Sequence, residues 1–201
     1  MEIMETRLGI IFIFSLLVAW FFLHKYAYNP TKKLLLKAAY NDAQAQYKMG
    51  LLYYTGKHVE KSMSRAFSWF ETAANNGHVR AMVALAGLYH AGIGCQKNEQ
   101  HAFEWYQTAA QTGDFEARVN LAICYLQGIG TATDEKKGFT IMKAAADEKS
   151  PLALTLLGGL YERGSGTAKD EQAALSCYLQ AAKQGEPMAT KRLKELKGKI
   201  N

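Results

Sequence analysis

The chain repeats itself every 36 residues. Three residue types mark the period, without insertion or deletion: Ala45, Ala81, Ala117, Ala153 and Ala189; Tyr53, Tyr89, Tyr125 and Tyr161; Gly56, Gly92, Gly128 and Gly164. A unit of this length holds two short helices, and it buries its apolar face only when neighbouring units stack against it. The sequence therefore predicts a stacked helical array.

Each unit divides into two helices joined by a turn. Helix A runs from the repeated alanine to the repeated tyrosine, with apolar residues at helical spacing. A glycine turn follows, and helix B then begins after an N-cap and ends on an Ala-Ala pair. The N-caps, whose side chains accept hydrogen bonds from free backbone N–H groups, are Ser62, Asn98, Asp134 and Asp170.

The period also sets the predicted boundaries. Four complete units cover residues 42–77, 78–113, 114–149 and 150–185, with a capping helix at 29–41 and a C-terminal cap at 186–201. A left-handed residue is expected after helix B, and Gly77, Gly113 and Gly185 suit that position. In the third unit Lys149 stands there instead, and Pro151 is predicted to stop the helix.

An apolar stretch precedes the repeats. Residues 8–23 read LGIIFIFSLLVAWFFL, and no charge occurs between Arg7 and Lys25. This length is at the low end for a helix that crosses a hydrocarbon core of ~30 Å. Trp20 suits an aromatic anchor at the interface. The sequence predicts a single-pass membrane anchor over residues 1–28, spanning the bilayer through 8–23.

Two other interpretations of this stretch are a cleaved signal peptide and a buried core helix. Glu2 and Glu5 do not suit a basic signal-peptide n-region, and no Ala-x-Ala cleavage site follows. A core helix would carry the repeat pattern, which this stretch lacks. The immediate flanks, Arg7 with the amino terminus against Lys25, favour the inner membrane with the repeats on the periplasmic side, whereas the lysines of the following helix favour the opposite orientation.

Composition excludes some classes of protein. The net charge is +6, but the lysines and arginines are scattered and are not interleaved with aromatics, so a nucleic-acid partner is not expected. Three cysteines without paired spacing do not form a disulfide framework. Cys124 and Cys177 fall within helix patterns and are expected to be buried, whereas Cys95 lies in a turn.

Motifs that resemble catalytic or ligand sites follow the structural period. The Gly-x-Gly turns repeat with it and no strand precedes them, so they are not phosphate loops. Gly164-Ser165-Gly166 lacks the Gly-x-Ser-x-Gly spacing of a nucleophile elbow. No histidine pairs with another histidine or a cysteine at helical i, i+4 spacing. We therefore expect no enzymatic activity, metal, cofactor or small-molecule substrate.

The repeated pattern Ala-x3-Leu-Gly-x2-Tyr-x2-Gly-x-Gly, followed by a helix with Ala-x2-Trp and an Ala-Ala pair, resembles the Sel1-like repeat, a relative of the tetratricopeptide repeat. The resemblance covers residues 42–185. It implies an all-α fold, a right-handed α-solenoid of four helix-turn-helix repeats, whose helix A residues line a concave surface. Local departures from the pattern are His58, Ala86, Ala122 and Gly138.

The resemblance also implies a class of function. Members of this family are generally non-catalytic adaptors that recruit or block protein partners. Certain short, envelope-targeted bacterial members are immunity proteins that neutralise a toxic phospholipase effector of a contact-dependent secretion system. The most specific expectation is thus a membrane-anchored immunity protein that binds a secreted phospholipase-type effector. The alternative is a scaffold or adaptor that assembles or regulates an envelope protein complex.

Partner-binding residues are expected on helix A where the period does not require a buried side chain. Several of these positions carry apolar or aromatic residues, which is typical of protein interfaces. The alternative is that some of them pack between neighbouring units. The predicted residues are Gln44, Tyr47, Leu51, Tyr54, Arg80, Val83, His90, Glu116, Val119, Leu126, Leu152 and Glu162.

Overall fold

The computed structural model describes residues 30–198, and this part of the chain consists of ten α-helices without a strand. The helices are α1 (Pro30–Ala39), α2 (Ala43–Thr55), α3 (Met63–Asn75), α4 (Val79–Ala91), α5 (Glu99–Gln111), α6 (Phe115–Gln127), α7 (Glu135–Ala146), α8 (Pro151–Arg163), α9 (Glu171–Lys183) and α10 (Pro187–Gly198). Each packs mainly on the helices before and after it. The fold is an all-α solenoid, as predicted, while its handedness stays a prediction.

The predicted membrane anchor, residues 1–28 with the span at 8–23, lies outside the described residues. Within residues 30–198, no helix combines the length and the apolar character needed to cross a bilayer.

Side-chain caps start the helices. The four predicted N-caps of helix B are confirmed, since Ser62, Asn98, Asp134 and Asp170 each accept a hydrogen bond from the backbone N–H three residues on, at 2.9–3.4 Å. Three A helices have N-caps that the repeat pattern did not predict: Asp42, His78 and Asp114. Each such cap is worth about 1 kcal/mol relative to alanine, so every unit carries local signals that set its helix boundaries.

The left-handed residue after helix B is present in all units. Gly77, Gly113 and Gly185 have φ of +82°, +85° and +86°. Lys149 takes the same role at φ +60°. The prediction that Pro151 stops the preceding helix is wrong, because α7 already ends at Ala146 and Pro151 is the first residue of α8. A proline suits that position, where its missing N–H has no partner to lose.

The second turn glycine of the later units is required by a close approach between backbones. A Cβ at Gly94, Gly130 or Gly166 would overlap with the carbonyl oxygen of the first helix B residue of the preceding unit. His58 stands at this position in the first unit and keeps the left-handed conformation, with φ +64° and an exposed side chain. This departure from the repeat pattern therefore changes the residue without changing the turn.

Aromatic pairs join neighbouring units. Tyr89 meets Phe67 edge-on with ring centroids 5.1 Å apart, and the equivalent pairs in the next two units have centroids 5.3 and 5.2 Å apart. The helix A tyrosine of one unit thus packs on helix B of the unit before it. The repeated tyrosines therefore belong to the packing between units.

Small residues let helix A and helix B approach closely. A Cβ at Gly50 would lie 2.6 Å from the Phe70 ring, and one at Gly158 would lie 2.8 Å from the Tyr178 ring. In the third unit the arrangement is reversed, because Gly138 of helix B makes room for Leu126 of helix A, whose Cγ would be 2.6 Å from a Cβ there. The departure at Gly138 is therefore compensated within its own unit.

Candidate functional site

The structure gathers part of the predicted binding residues around one cleft. A cavity of about 620 Å³ opens between α2, α4 and α6. Four predicted residues line it: Tyr47, Arg80, Val83 and Glu116. The cleft spans three consecutive A helices, so it exists only because the units stack.

A second, more apolar cavity adjoins the first. It has a volume of about 310 Å³, and Leu51 and Tyr54 line it together with Ile93. The two cavities share Ala84 and Gly87, and we call them together the A-helix groove. Leu51 and Tyr54 are 38% and 40% exposed, so both leave apolar surface available to a partner.

Tyr47 is held in place at the groove by His78. The two rings stack with centroids 4.4 Å apart and an interplanar angle of 18°. His78 Nδ1 accepts the Ala81 N–H at 3.1 Å, which leaves Nε2 as the donor to Gln44 Oε1 at 3.2 Å. Burial lowers the pKa of His78, in accord with a neutral ring in this role. The predicted residues Gln44 and Tyr47 are therefore positioned by one capping histidine.

The groove carries opposite charges along its side. Arg80 and Glu116 are both exposed and line the larger cavity. Asp114 lies beside them, but its carboxylate accepts the Ala117 N–H at 2.9 Å and caps α6. Asn120 donates to the Glu116 backbone carbonyl at 3.0 Å. The available charges are thus one cation and one anion, which suits a polar protein surface better than a strongly charged ligand.

Tyr106 of helix B also lines the larger cavity, although it was not among the predicted binding residues. It is half-buried, whereas its equivalents Phe70 and Tyr178 are buried. Those two rings pack on helix A glycines, but Tyr106 has Ala86 at the corresponding position. Burial raises the pKa of Tyr106 to about 12. The alanine at this helix A position is the sequence signal that could have identified Tyr106.

Four of the predicted residues lie in the second and third units, and none of their side chains is exposed to solvent. Val83 and Val119 are buried in the core, which corrects the expectation that they are exposed contacts. Their short β-branched side chains fit between helices where Tyr47 does not. Leu126 packs over Gly138, and His90 is half-buried with no hydrogen-bond partner for Nδ1 among the described residues.

The last two predicted residues are not part of the groove. Leu152 is exposed on α8, away from both cavities. Glu162 forms an ion pair with Arg192 of α10 and accepts a hydrogen bond from the Tyr178 hydroxyl at 2.9 Å. These contacts join the fourth unit to the C-terminal helix. Burial, and then the hydrogen bond to Glu162, raise the pKa of Tyr178 to about 12.

The cysteines are not arranged for disulfide or metal chemistry. All three are free thiols, and Cys124 and Cys177 are buried as predicted. Burial raises the pKa of Cys124 to about 11 and also raises the pKa of Cys95. Among residues 30–198 no group of three histidines, cysteines or carboxylates is placed to hold a metal ion.

Comparison with known families identifies the repeat. The family model described as Sel1 repeat matches residues 43–78, 79–114, 115–150 and 151–186. A search of curated proteins finds no match.

Solved structures agree with this match. A Sel1 repeat protein from Oxalobacter formigenes is 32% identical with a TM-score of 0.75, over 80% of this chain and 66% of that one. A protective antigen of uropathogenic Escherichia coli strains, displaying an SLR fold, is 29% identical with a TM-score of 0.75, over 83% of this chain and 36% of that one. The chain therefore spans just under two thirds of the first protein and about one third of the second.

A third structure is described as an immunity protein, from Pseudomonas aeruginosa. It is 25% identical to this chain with a TM-score of 0.51, and the match covers 71% of this chain and 53% of that protein.

Proposed function

The chain belongs to the Sel1 repeat family, and we propose that it binds one protein partner in the A-helix groove. It is a Sel1-repeat protein-binding module, and such repeats are typically non-catalytic interaction scaffolds. The observation that carries the proposal is the open groove itself, where Tyr47, Leu51 and Tyr54 lie beside Arg80 and Tyr106. Exposed aromatics with a neighbouring arginine have the composition of an interface hot spot.

The partner we propose is a toxic effector enzyme of the phospholipase type, which the chain neutralises as an immunity protein. Two points support this choice: the similarity to an immunity protein of Pseudomonas aeruginosa, and the resemblance to short envelope-targeted members of the family. An immunity protein needs a rigid surface that covers its target without chemistry of its own. The stacked A helices provide such a surface.

A genetic experiment tests the biological role. The gene is deleted alone, and then together with the neighbouring gene that encodes the candidate effector. The proposal expects self-intoxication in the single deletion and normal growth in the double deletion. Normal growth of the single deletion, with the effector expressed, would show that the chain is not the immunity protein.

A binding experiment tests the site. Tyr54→Ala is expected to weaken the affinity for the effector about 30-fold, since hot-spot truncations cost about 2 kcal/mol or more. The matched control is Leu179→Ala on the outer side of α9, because Leu179 is 42% exposed, almost the same as Tyr54. Isothermal titration calorimetry gives both dissociation constants.

The comparison of these two variants separates the outcomes. Equal affinities for Tyr54→Ala and Leu179→Ala would move the binding surface away from the groove. Co-purification of several envelope proteins in constant ratio, with no effector among them, would favour a scaffold of an envelope complex.

We also propose that residues 8–23 anchor the chain in the inner membrane, with the repeats on the periplasmic side. The support is the uncharged length of this stretch and the charges at its flanks. Protease added to spheroplasts should degrade the repeats while the inner membrane is intact. Protection from the protease until the membrane is broken would place the repeats in the cytoplasm.

A further inference from the structure

Helix α1 and the residue that follows it carry large apolar side chains on the outer face. Leu36 in α1 is 62% exposed, and Tyr40, directly after Ala39, is 85% exposed. On the opposite face, Leu34 and Ala38 pack against α2, so α1 covers the first core cluster of the array. Terminal units of solenoids normally present a polar outer face, and the outer face of α1 departs from that rule.

Lysines are interleaved with these apolar side chains. Lys33, Leu36 and Lys37 follow the spacing i, i+3 and i+4, which places them on one side of α1. Tyr40 at i+7 continues this side, because its N–H still donates to the Leu36 carbonyl at 3.1 Å. All four are exposed, and α1 contains no acidic residue. Long lysine side chains extend their charge outwards from an apolar surface on which their stems rest. The outer face thus combines apolar contact with positive charge.

This combination argues against a second copy of the chain as the occupant. In a symmetric dimer the same patch meets itself, so Lys33 and Lys37 of both copies would be gathered in one interface, where α1 offers no acidic residue. Juxtaposed like charges cost several kcal/mol at an interface. An anionic bilayer surface matches both features, since leucine and tyrosine enter the boundary of the acyl chains while lysine meets the headgroups.

The position of α1 in the chain brings it close to a bilayer. Six residues, 24–29, separate the uncharged stretch at 8–23 from Pro30. Even a fully extended connection of this length reaches only roughly 25 Å. A stretch that spans the membrane therefore keeps the start of α1 near the surface, and α1 itself extends only ~15 Å.

We propose that α1 lies on the membrane surface, with Leu36 and Tyr40 in contact with the bilayer and Lys33 and Lys37 at anionic headgroups. This inference rests on the proposed membrane anchor. It gives α1 a second role besides capping the core, because it attaches the first unit to the lipid surface.

The experiment uses the full chain reconstituted in vesicles of phosphatidylcholine, with or without phosphatidylglycerol. An environment-sensitive fluorophore is attached through Leu36→Cys or, as the matched control, Met188→Cys, in a Cys95→Ser background. Met188 is an apolar residue that is 55% exposed at the other end of the array. Nitroxide-labelled lipids should quench the fluorophore at position 36 and leave that at position 188 unaffected.

The lysines are tested separately. Lys33→Gln and Lys37→Gln should each reduce the ratio of docked to undocked α1 about fivefold in vesicles with phosphatidylglycerol, which corresponds to about 1 kcal/mol per lysine. In phosphatidylcholine alone the same variants should have little effect. An equal effect in both lipids would contradict the contact with anionic headgroups.

Flotation of the vesicles separates the possible failures. A chain that does not float with the vesicles has no membrane anchor, and this result would refute both the anchor and the docking of α1. A chain that floats but shows equal quenching at positions 36 and 188 refutes the docking of α1 alone. Crosslinking between two copies through position 36 would show that a second chain, and not the lipid surface, contacts the outer face of α1. None of these results affects binding of a partner in the groove.

Discussion

The first and fourth units place different residues at the same three positions. In the first unit they are Tyr54 on helix A, His58 in the turn and Phe70 on helix B; in the fourth unit they are Glu162, Gly166 and Tyr178. Tyr54 and Phe70 line an open apolar cavity. The Tyr178 hydroxyl donates a hydrogen bond to Glu162, and Glu162 also accepts a hydrogen bond from Arg192 of α10.

The difference shows how one repeat geometry serves two purposes. In the fourth unit the Glu162 carboxylate and the Tyr178 hydroxyl are paired within the chain, and Glu162 also holds Arg192 of the C-terminal helix. In the first unit Phe70 is buried and packs against Tyr47, whereas Tyr54 and His58 are exposed and leave the groove accessible. The groove in which we propose that a partner binds is therefore built by the first three units, although all four have the same helices.

The largest effect is expected at the turn position. Gly166→Ala should lower the free energy of unfolding by about 2–4 kcal/mol, because φ is +72° and the added Cβ overlaps with the Glu135 carbonyl. The control His58→Ala should change it by less than about 0.5 kcal/mol, since His58 already has a Cβ in this conformation and is exposed. Denaturant unfolding measures both. Similar losses would mean that the two turns do not differ.

The next effect separates the two tyrosines of helix B. Tyr178→Phe should cost about 1–2 kcal/mol, because its hydroxyl donates to the Glu162 carboxylate. Tyr106→Phe should cost less than about 0.5 kcal/mol, because Tyr106 is only half-buried and no residue within 30–198 accepts a hydrogen bond from its hydroxyl. Denaturant unfolding gives the totals, and hydrogen exchange in α10 should rise only for Tyr178→Phe. Equal costs would remove the distinction between the closed and open units.

Alkaline pH offers a smaller test of both tyrosines. The pKa of Tyr106 and that of Tyr178 are raised to about 12 from the ordinary 10. The folded state therefore keeps each proton longer than the unfolded state does. The resulting stability is complete below pH 10 and is lost as the pH rises through 12.

After solvent screening we expect each tyrosine to account for less than about 1 kcal/mol between pH 10 and 11. The measurement is the unfolding free energy of the wild type against Tyr106→Phe and Tyr178→Phe across this window. Both variants should lose less stability than the wild type. Curves of equal slope would show that the tyrosines are not protected by the fold.

The smallest effect should be a gain. His58→Gly removes the backbone strain of a residue with a Cβ at φ +64°, but it also makes the unfolded chain more flexible. The net gain should be about 0.5 kcal/mol in denaturant unfolding. Lys149→Gly, at φ +60°, should show a similar gain. Loss of stability in both would mean that these side chains make contacts that offset the backbone strain.

The candidate site was only partly predictable. The sequence predicted Tyr47, Leu51 and Tyr54, which line the groove, because large residues at surface positions of a repeat stand out from the pattern. It placed Val83 and Val119 at the surface, but small β-branched residues at the corresponding positions fit between stacked helices and are buried. The groove itself follows from the distances between helices of different units, which no single unit encodes.

The sequence by itself determined the repeat, the N-caps of helix B and the left-handed residues after it. These features depend on local chemistry: a side chain that bonds a backbone three residues away, or a glycine that tolerates positive φ. The tertiary structure alone decided that Tyr106 lines the groove and that Glu162 is paired with Arg192. These outcomes depend on how deeply a ring can pack against the facing helix and on which side chains of different units meet, and both are settled only when the units stack.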